Sequence, residues 1–282
     1  MFVLASAAGC AKPSVVRAPQ QTPEPITPPR FSEEAARAHV EALAGRIGPR
    51  PAGSGGYRRA TRYVVEEFEQ LGYRARRRAF PLPQGGRSWN VAAEWPGSGP
   101  PQVLLGGHLD TVAGSPGGND NASGVAVLLE LARVVAGTPE ATGLRLVAFG
   151  AEERQPNGEH TVGSTDYARS LGPGVRDGID AMVSVDMIGK DRRFVFGWLG
   201  RGSRKAVRLL HRAGDRAGRQ GRIRAVGDVS DHSPFAEAGV PAALLWTGDE
   251  PDHHRPTDTV RNVDSGTLTR SGEVLLALLQ LL

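Results

Sequence analysis

From Val103 onward, short apolar runs alternate with longer amphipathic stretches, and residues able to ligate metal fall just after several of those runs. Residues 103–105, 144–149, 181–185, 193–198 and 242–246 have the length and apolar character of strands. Residues 125–135, 203–217 and 267–282 have the length and patterning of helices. Strands that alternate with helices are joined by crossovers. The pattern therefore predicts an α/β three-layer sandwich: a mixed, mostly parallel central sheet with helices on both faces. Upstream, Ser32 is expected to cap a helix that carries Glu33 and Glu34 in its first turn and Ala36, Val40, Leu43 and Ile47 on one face. Gly48-Pro49 ends it, and a second helix from about residue 57 to 71 stops at Gly72.

Open α/β sheets bind ligands beyond the carboxyl ends of their strands, where loops converge. His108, the pair Glu152-Glu153 and Asp186 each lie just past a predicted strand. Asp120 precedes Ser123-Gly124 at the start of a helix, where local amides can hold its carboxylate. A histidine from His253-His254 completes a set of imidazoles and carboxylates, a donor combination that suits zinc in an open catalytic site. Asp120, Glu153 and Asp186 bring three negative charges, and a bridging hydroxide would bring a fourth against two divalent cations. Glu152 is spare in that count. A carboxylate beside a ligand is what proton transfer from activated water requires, so the set points to a metallohydrolase.

The ordered motifs resemble those of the co-catalytic zinc aminopeptidases, the family of secreted bacterial leucine aminopeptidases, related to glutamate carboxypeptidase and glutaminyl cyclase. They are His-x-Asp at His108, Asn-Asp-x-x-Ser-Gly at Asp120, Glu152-Glu153, Asp186-Met-Ile-Gly, Ser230-Asp-His-x-Pro-Phe, and His254 with Asp258-Thr259 four residues on. The resemblance runs from about Val40 to the C-terminus and implies a zinc-exopeptidase-like fold. It implies His108 and Asp186 on one zinc ion, Glu153 and His254 on a second, and Asp120 bridging them. Glu152 matches the general base, and Asp110 the carboxylate that orients a histidine ligand. The Asp120–Asn121 peptide bond is implied to be cis. The reaction implied is removal of N-terminal residues from peptides; a carboxypeptidase, another amidase or a one-zinc cyclase is the alternative on this scaffold. A non-catalytic module would have lost ligands, and none is missing.

Three departures stand out. Asn121 replaces the usual Asp, His253 the usual Tyr, and the loop Arg154 to His160 is longer than usual. That loop is expected to reshape a wall of the pocket. His253 competes with His254 as ligand, and spacing to Asp258-Thr259 favours His254. His39 and His211 are expected on helix surfaces and His160 in a solvated loop, while Ser230 is expected to cap a helix.

The remaining expectations concern surroundings. Residues 1–31 combine a small-residue run ending before Cys10, similar to a lipoprotein processing site, with prolines at 13, 19, 23, 25, 28 and 29. This predicts an exported chain, lipid-anchored through Cys10 or secreted, with a cytoplasmic chain as the alternative and residues 32–282 as the catalytic domain. The formal charge is +4, from 34 basic and 30 acidic residues, and lysine occurs only at 12, 190 and 205. The run Arg74, Arg76, Arg77, Arg78 lacks accompanying aromatics, so a solvated strand is expected there and no nucleic-acid partner. A monomer acting on peptides with a free N-terminus is the reading that results.

Overall fold

The computed structural model describes Phe2 and residues 30–190 and 193–282; the expected leader and proline-rich linker, Cys10 included, lie outside the described residues. The strands are β1 (Arg74–Pro81), β2 (Arg87–Glu94), β3 (Val103–His108), β4 (Leu144–Phe149), β5 (Ala181–Val185), β6 (Phe194–Trp198), β7 (Gly221–Ala225) and β8 (Ala242–Trp246). They form one eight-stranded sheet in the order β1-β2-β4-β3-β5-β8-β6-β7. Pairing is parallel along β4-β3-β5-β8 and between β6 and β7. It is antiparallel for β1-β2, β2-β4 and β8-β6. The mixed, mostly parallel sheet expected from the sequence is the one observed.

The central strands serve two cores. Leu105, Leu146 and Val183 face one side and Leu104, Val147 and Met182 the other, all fully buried. Burial on both faces is why these runs are continuously apolar rather than alternating. The first face carries α1 (Glu33–Val40), α2 (Gly55–Gln70), α3 (Ser123–Val135), α6 (Lys205–Arg216) and α8 (Ser265–Leu279). The second carries α4 (Val162–Ser170) and α7 (His232–Glu237), whose Tyr167 and Phe235 pack around Phe149. Short α5 (Pro173–Asp177) leads into β5.

Ser32 caps α1 by accepting the Ala35 N–H, and its own N–H donates to the buried Glu130 of α3. Arg133 donates twice to the same carboxylate, which fixes the start of the fold onto α3. The helix continues past Val40 as a wider π-helical stretch, Glu41–Ile47, closed at Gly48 with φ of 73°. Four elements carry little sequence signal. Helix α4 opens on Gly163-Ser164-Thr165, helices α5 and α7 are very short, and β7 alternates arginines with Ile223 at a sheet edge.

His39 is half-buried between α1 and α2, not at the surface, with Nδ1 2.6 Å from the Tyr63 hydroxyl. Burial lowers its pKa from 6.5 to about 4, and the Glu130 carboxylate offsets this only in part. Between those values the unfolded chain binds a proton that the native chain does not. Stability is therefore lost as pH falls from 6.5 toward 4. His39→Gln should lose less stability than the parent between about pH 7 and pH 5, read as the shift of the urea midpoint; equal shifts would show the ring to be solvated.

Candidate metal centre

Topology gathers the predicted residues at one end of the sheet. His108 ends β3, Glu152 and Glu153 follow β4 after Gly150-Ala151, and Asp186 follows β5 directly. Asp120 enters from the turn before α3, and His254 from the loop between β8 and α8. All of them line one cleft of about 480 Å³ together with His253.

Asp120 stands between two groups of donors. Its Oδ1 lies 3.0 Å from His108 Nε2, which is in turn 3.4 Å from Asp186 Oδ1. Its Oδ2 lies 3.3 Å from His254 Nε2, which approaches Glu153 Oε2 at 2.9 Å. His253 Nε2 is also 3.3 Å from Asp120 Oδ2, and the two neighbouring imidazole rings lie 3.8 Å apart. The competition between these histidines therefore has a geometric basis, and only His254 also reaches Glu153. The Asp120–Asn121 peptide bond is cis, as the resemblance implies.

The supporting contacts differ in part from expectation. Among the described residues no local amide donates to the Asp120 carboxylate. Instead Asp258, buried beneath it, accepts the main-chain N–H groups of Asn119 at 2.7 Å and Asp120 at 3.0 Å. Asn121 takes the helix start: its Oδ1 accepts from Gly124 N and Met187 N, and its Nδ2 donates to Val185 O at 2.8 Å. An aspartate could not make that last bond, so the departure to Asn121 ties the Asp120 turn to the end of β5. Gly124 is obligatory here, because a Cβ would sit 2.2 Å from Val185 O and 2.4 Å from Asn121 Oδ1.

Asp110 also acts differently from the expected pattern. His108 Nδ1 lies 3.1 Å from the main-chain carbonyl of Asp110, and the carboxylate is farther, at 3.9 Å. A carbonyl only accepts, so Nδ1 carries a hydrogen, and Nε2 is the ring nitrogen turned to the cleft. The carboxylate of Asp110 accepts the N–H groups of Glu152 and Glu153 at 3.1 and 3.2 Å. Ser230 does not cap α7: its hydroxyl donates to Asp186 Oδ2 at 2.7 Å.

Two further residues escaped the sequence reading. Fully buried Arg50 donates to the carbonyls of Leu109, Pro116 and Gly117 and so fixes the loop between His108 and Asp120. Nothing in Pro49-Arg50-Pro51 marks a buried guanidinium. Asp231 is fully buried behind the cleft, and burial raises its pKa to about 7.

Backbone strain is concentrated here. Among the described residues the non-glycine positions with positive φ are Ala151, Thr161, Met187 and His254. Ala151 precedes Glu152, Met187 follows Asp186, and Thr161 N–H donates to Glu152 O. Such conformations cost about 1–3 kcal/mol each and persist where the surroundings dictate them.

Protein groups alone leave the centre strongly anionic. Burial would depress His108, but the Asp186 and Glu152 carboxylates outweigh it and hold its pKa well above the usual value. Hydrogen bonds that its ring donates to Asp120 and Glu153 raise His254 to about 10. Burial and then the Asp120 charge raise Glu153 to about 7, and burial with Glu153 nearby raises Glu152 well above its ordinary range. A field that stabilises imidazolium stabilises a metal cation in the same place. Glu153 Oε1 and Asp186 Oδ1 are buried with no hydrogen-bond donor of suitable geometry among the described residues. The donors fall into two sets, His108, Asp120, Asp186 and Asp120, His253, His254, each within 4.8 Å. Orphaned carboxylate oxygens beside imidazole nitrogens fit zinc.

The loop Arg154 to His160 does form part of the pocket, through both its end residues. His160 is not simply solvated, since its Nε2 lies 3.4 Å from Asp228 Oδ2 across the cleft wall.

Comparison with known proteins bears on this arrangement. Residues 90–279 match the model of peptidase family M28. Leupeptin-inactivating enzyme 1 of Streptomyces exfoliatus is 32% identical over 255 residues, 88% of this chain and 56% of that protein. Aminopeptidase YwaD of Bacillus subtilis is 31% identical over 188 residues, 63% of this chain and 40% of its own length. Probable lipoprotein aminopeptidase LpqL of Mycobacterium tuberculosis is 27% identical over 253 residues, covering 74% and 50%. The chain thus spans about half the length of the curated relatives it matches. In fold it is similar to BSAP, a zinc aminopeptidase from Bacillus subtilis, with a TM-score of 0.80 at 18% identity over 89% of this chain and 95% of that one. It is equally similar to a glutaminyl cyclase from Bacteroides thetaiotaomicron, with 0.80 at 20% over 90% and 99%. The family match takes in more than half of the chain: this chain belongs to peptidase family M28.

Proposed function

We propose that this protein is a two-zinc aminopeptidase in which Glu152 is the general base. The observation that carries this reading is Asp120, whose two oxygens face two separate donor sets while Glu152 stands beside both without a place in either. His108 and Asp186 would hold one ion, Glu153 and His254 the other, with Asp120 shared. When bound, the zinc pair supplies Lewis-acid polarisation of the scissile carbonyl and acidifies water.

The rest of the chemistry belongs to the chain. Asp110 fixes the main chain of Glu152 and Glu153 together, so the base cannot drift from the ligand beside it. The Glu152 carboxylate, in the cleft beside the ligands, is suited to take a proton from water and pass it to the leaving amine. Ser230 orients Asp186, and Asp258 orients the Asp120 turn. A free N-terminus is the substrate feature inferred from the family. Export with a lipid anchor at Cys10 is the placement we favour, in keeping with the sequence before Ser32 and with the name of the mycobacterial relative.

A panel of peptides with free and acylated N-termini, assayed with zinc and with chelator, tests the reading. Cleavage of free N-termini alone, abolished by chelator, is expected; preference for acylated peptides would overturn it. An N-terminal glutaminyl peptide in the panel separates hydrolysis from cyclisation by product mass. Glu152→Gln should lower kcat by about 10²–10⁴-fold with zinc content unchanged, whereas Glu153→Gln should lose zinc as well. Full turnover in Glu152→Gln would remove it as the base. Asp258→Ala should weaken zinc affinity about 10–100-fold, because the Asp120 turn loses both hydrogen bonds that the Asp258 carboxylate accepts. An unchanged dissociation constant, measured by competition with a chelating dye, would show that turn to hold itself.

A further inference from the structure

One wall of the cleft has no part in metal binding or proton transfer: the face of β8, β6 and β7 turned away from α6. Strand register places Trp246 and Val195 with Arg222, and Leu244 and Gly197 with Arg224, on that face. The opposite face, through Phe194 and Phe196, packs into the core against α6. Arg222 and Arg224 stay exposed. Arg224 and Trp246 line the metal cleft itself, and they also line an adjoining groove of about 550 Å³. Arg193 and Arg222 belong to that second groove, so among the described residues three guanidiniums line it with one carboxylate, Asp249. None of the three arginines is ion-paired among the described residues, whereas Asp228 of the metal cleft faces His160.

We infer that this wall is a carboxylate-binding subsite, in which Arg222 and Arg224, with Arg193, select substrates that carry a carboxylate near the scissile bond. The inference rests on the aminopeptidase reading for its substrate and on charge complementarity for its ligand. A guanidinium offers a planar pair of donors that matches a carboxylate in two parallel hydrogen bonds. Apolar surface from Leu244 and Trp246 lies between the metal ligands and the arginines, where the stem of an acidic residue would lie. Reach fits as well. From β5, which presents Asp186, to β7 is three strand steps, about 14 Å at about 4.8 Å per step. An extended residue spans about 3.3–3.6 Å, and an arginine side chain closes part of the distance from its own end. The carboxylate can come from the side chain of the first residue or from a position one or two residues downstream.

Matched peptide pairs separate these sources: Glu against Gln at the first, second and third positions, and a free against an amidated C-terminus in tripeptides. With the zinc-loaded enzyme, kcat/KM should be about tenfold or more higher for the acidic member of at least one pair, the pair that shows it giving the source. Arg222→Gln/Arg224→Gln should abolish that ratio while neutral peptides are cleaved as before. Equal rates within every pair, or a double variant that loses acidic and neutral peptides alike, would overturn the subsite. Calorimetric binding of the same pairs to Glu152→Gln enzyme reads the preference without turnover. Should no peptide be cleaved, the aminopeptidase reading fails, and the binding arm still decides the carboxylate preference.

Discussion

Seven carboxylates share one buried volume, and the rest of the structure is organised around their mutual repulsion. Asp110, Asp120, Glu152, Glu153, Asp186, Asp231 and Asp258 are each at most 8% exposed. Like charges this close, with little water, ionise together only when cations are built in or bound. The protein supplies a few. Burial lowers the pKa of Arg50 to about 10, still charged, with Asp120, Asp110 and Asp258 holding the charge in place. Its hydrogen bonds go to carbonyls rather than to those carboxylates, so it relieves repulsion at a distance while fixing the intervening loop. The imidazoles of His108, His253 and His254 stand beside the same carboxylates. The remaining imbalance suits the cleft to a bound cation.

The sheet and its principal helices were legible because burial on both faces forces continuous apolar runs, and because those runs have strand length. The candidate ligands that meet in the cleft were legible for a related reason: residue types that can coordinate metal have little cause to follow buried strands otherwise. The supporting residues were harder to see. Asp258 and Arg50 act through main-chain groups far from them in sequence, and such partnerships have no periodicity. Ser230 looked like a cap because serine before a helix usually is one, but the nearby Asp186 offers a stronger, charged acceptor. His39 looked exposed because its helix is polar around it, while the partner that covers it, Tyr63, comes from the next helix. Strand β7 was missed because its polar residues face a cleft, so that alternation resembles a loop.

Rigidity at the centre is built from the outside inward. The Asp120 turn is held by Asp258 from below and joined to β5 by Asn121, and the loop bearing Glu152 is joined to the start of α4. The amides of Thr161, Val162 and Gly163 donate to the carbonyls of Glu152, Ala151 and Gly150 in order. Gly163 permits that approach, since a Cβ would come 2.1 Å from Gly150 O. Four non-glycine residues in left-handed conformation are tolerated because each is flanked by such bonds. Variation between relatives can then fall on the walls, the Arg154 to His160 loop and the open face of β6 and β7, without loosening the donors.

The arginine run in β1 has a consequence for association. Strand β1 is one margin of the sheet and β7 the other, and an unpaired margin invites a strand from another molecule. Arg74, Arg76, Arg77 and Arg78 occupy the first margin, and Arg222 and Arg224 the second. Two copies brought together along either margin would set guanidinium against guanidinium, so the sheet ends where the chain ends it. Strand-to-strand pairing between copies is thereby disfavoured at both margins, and the groove beside β7 is left uncovered.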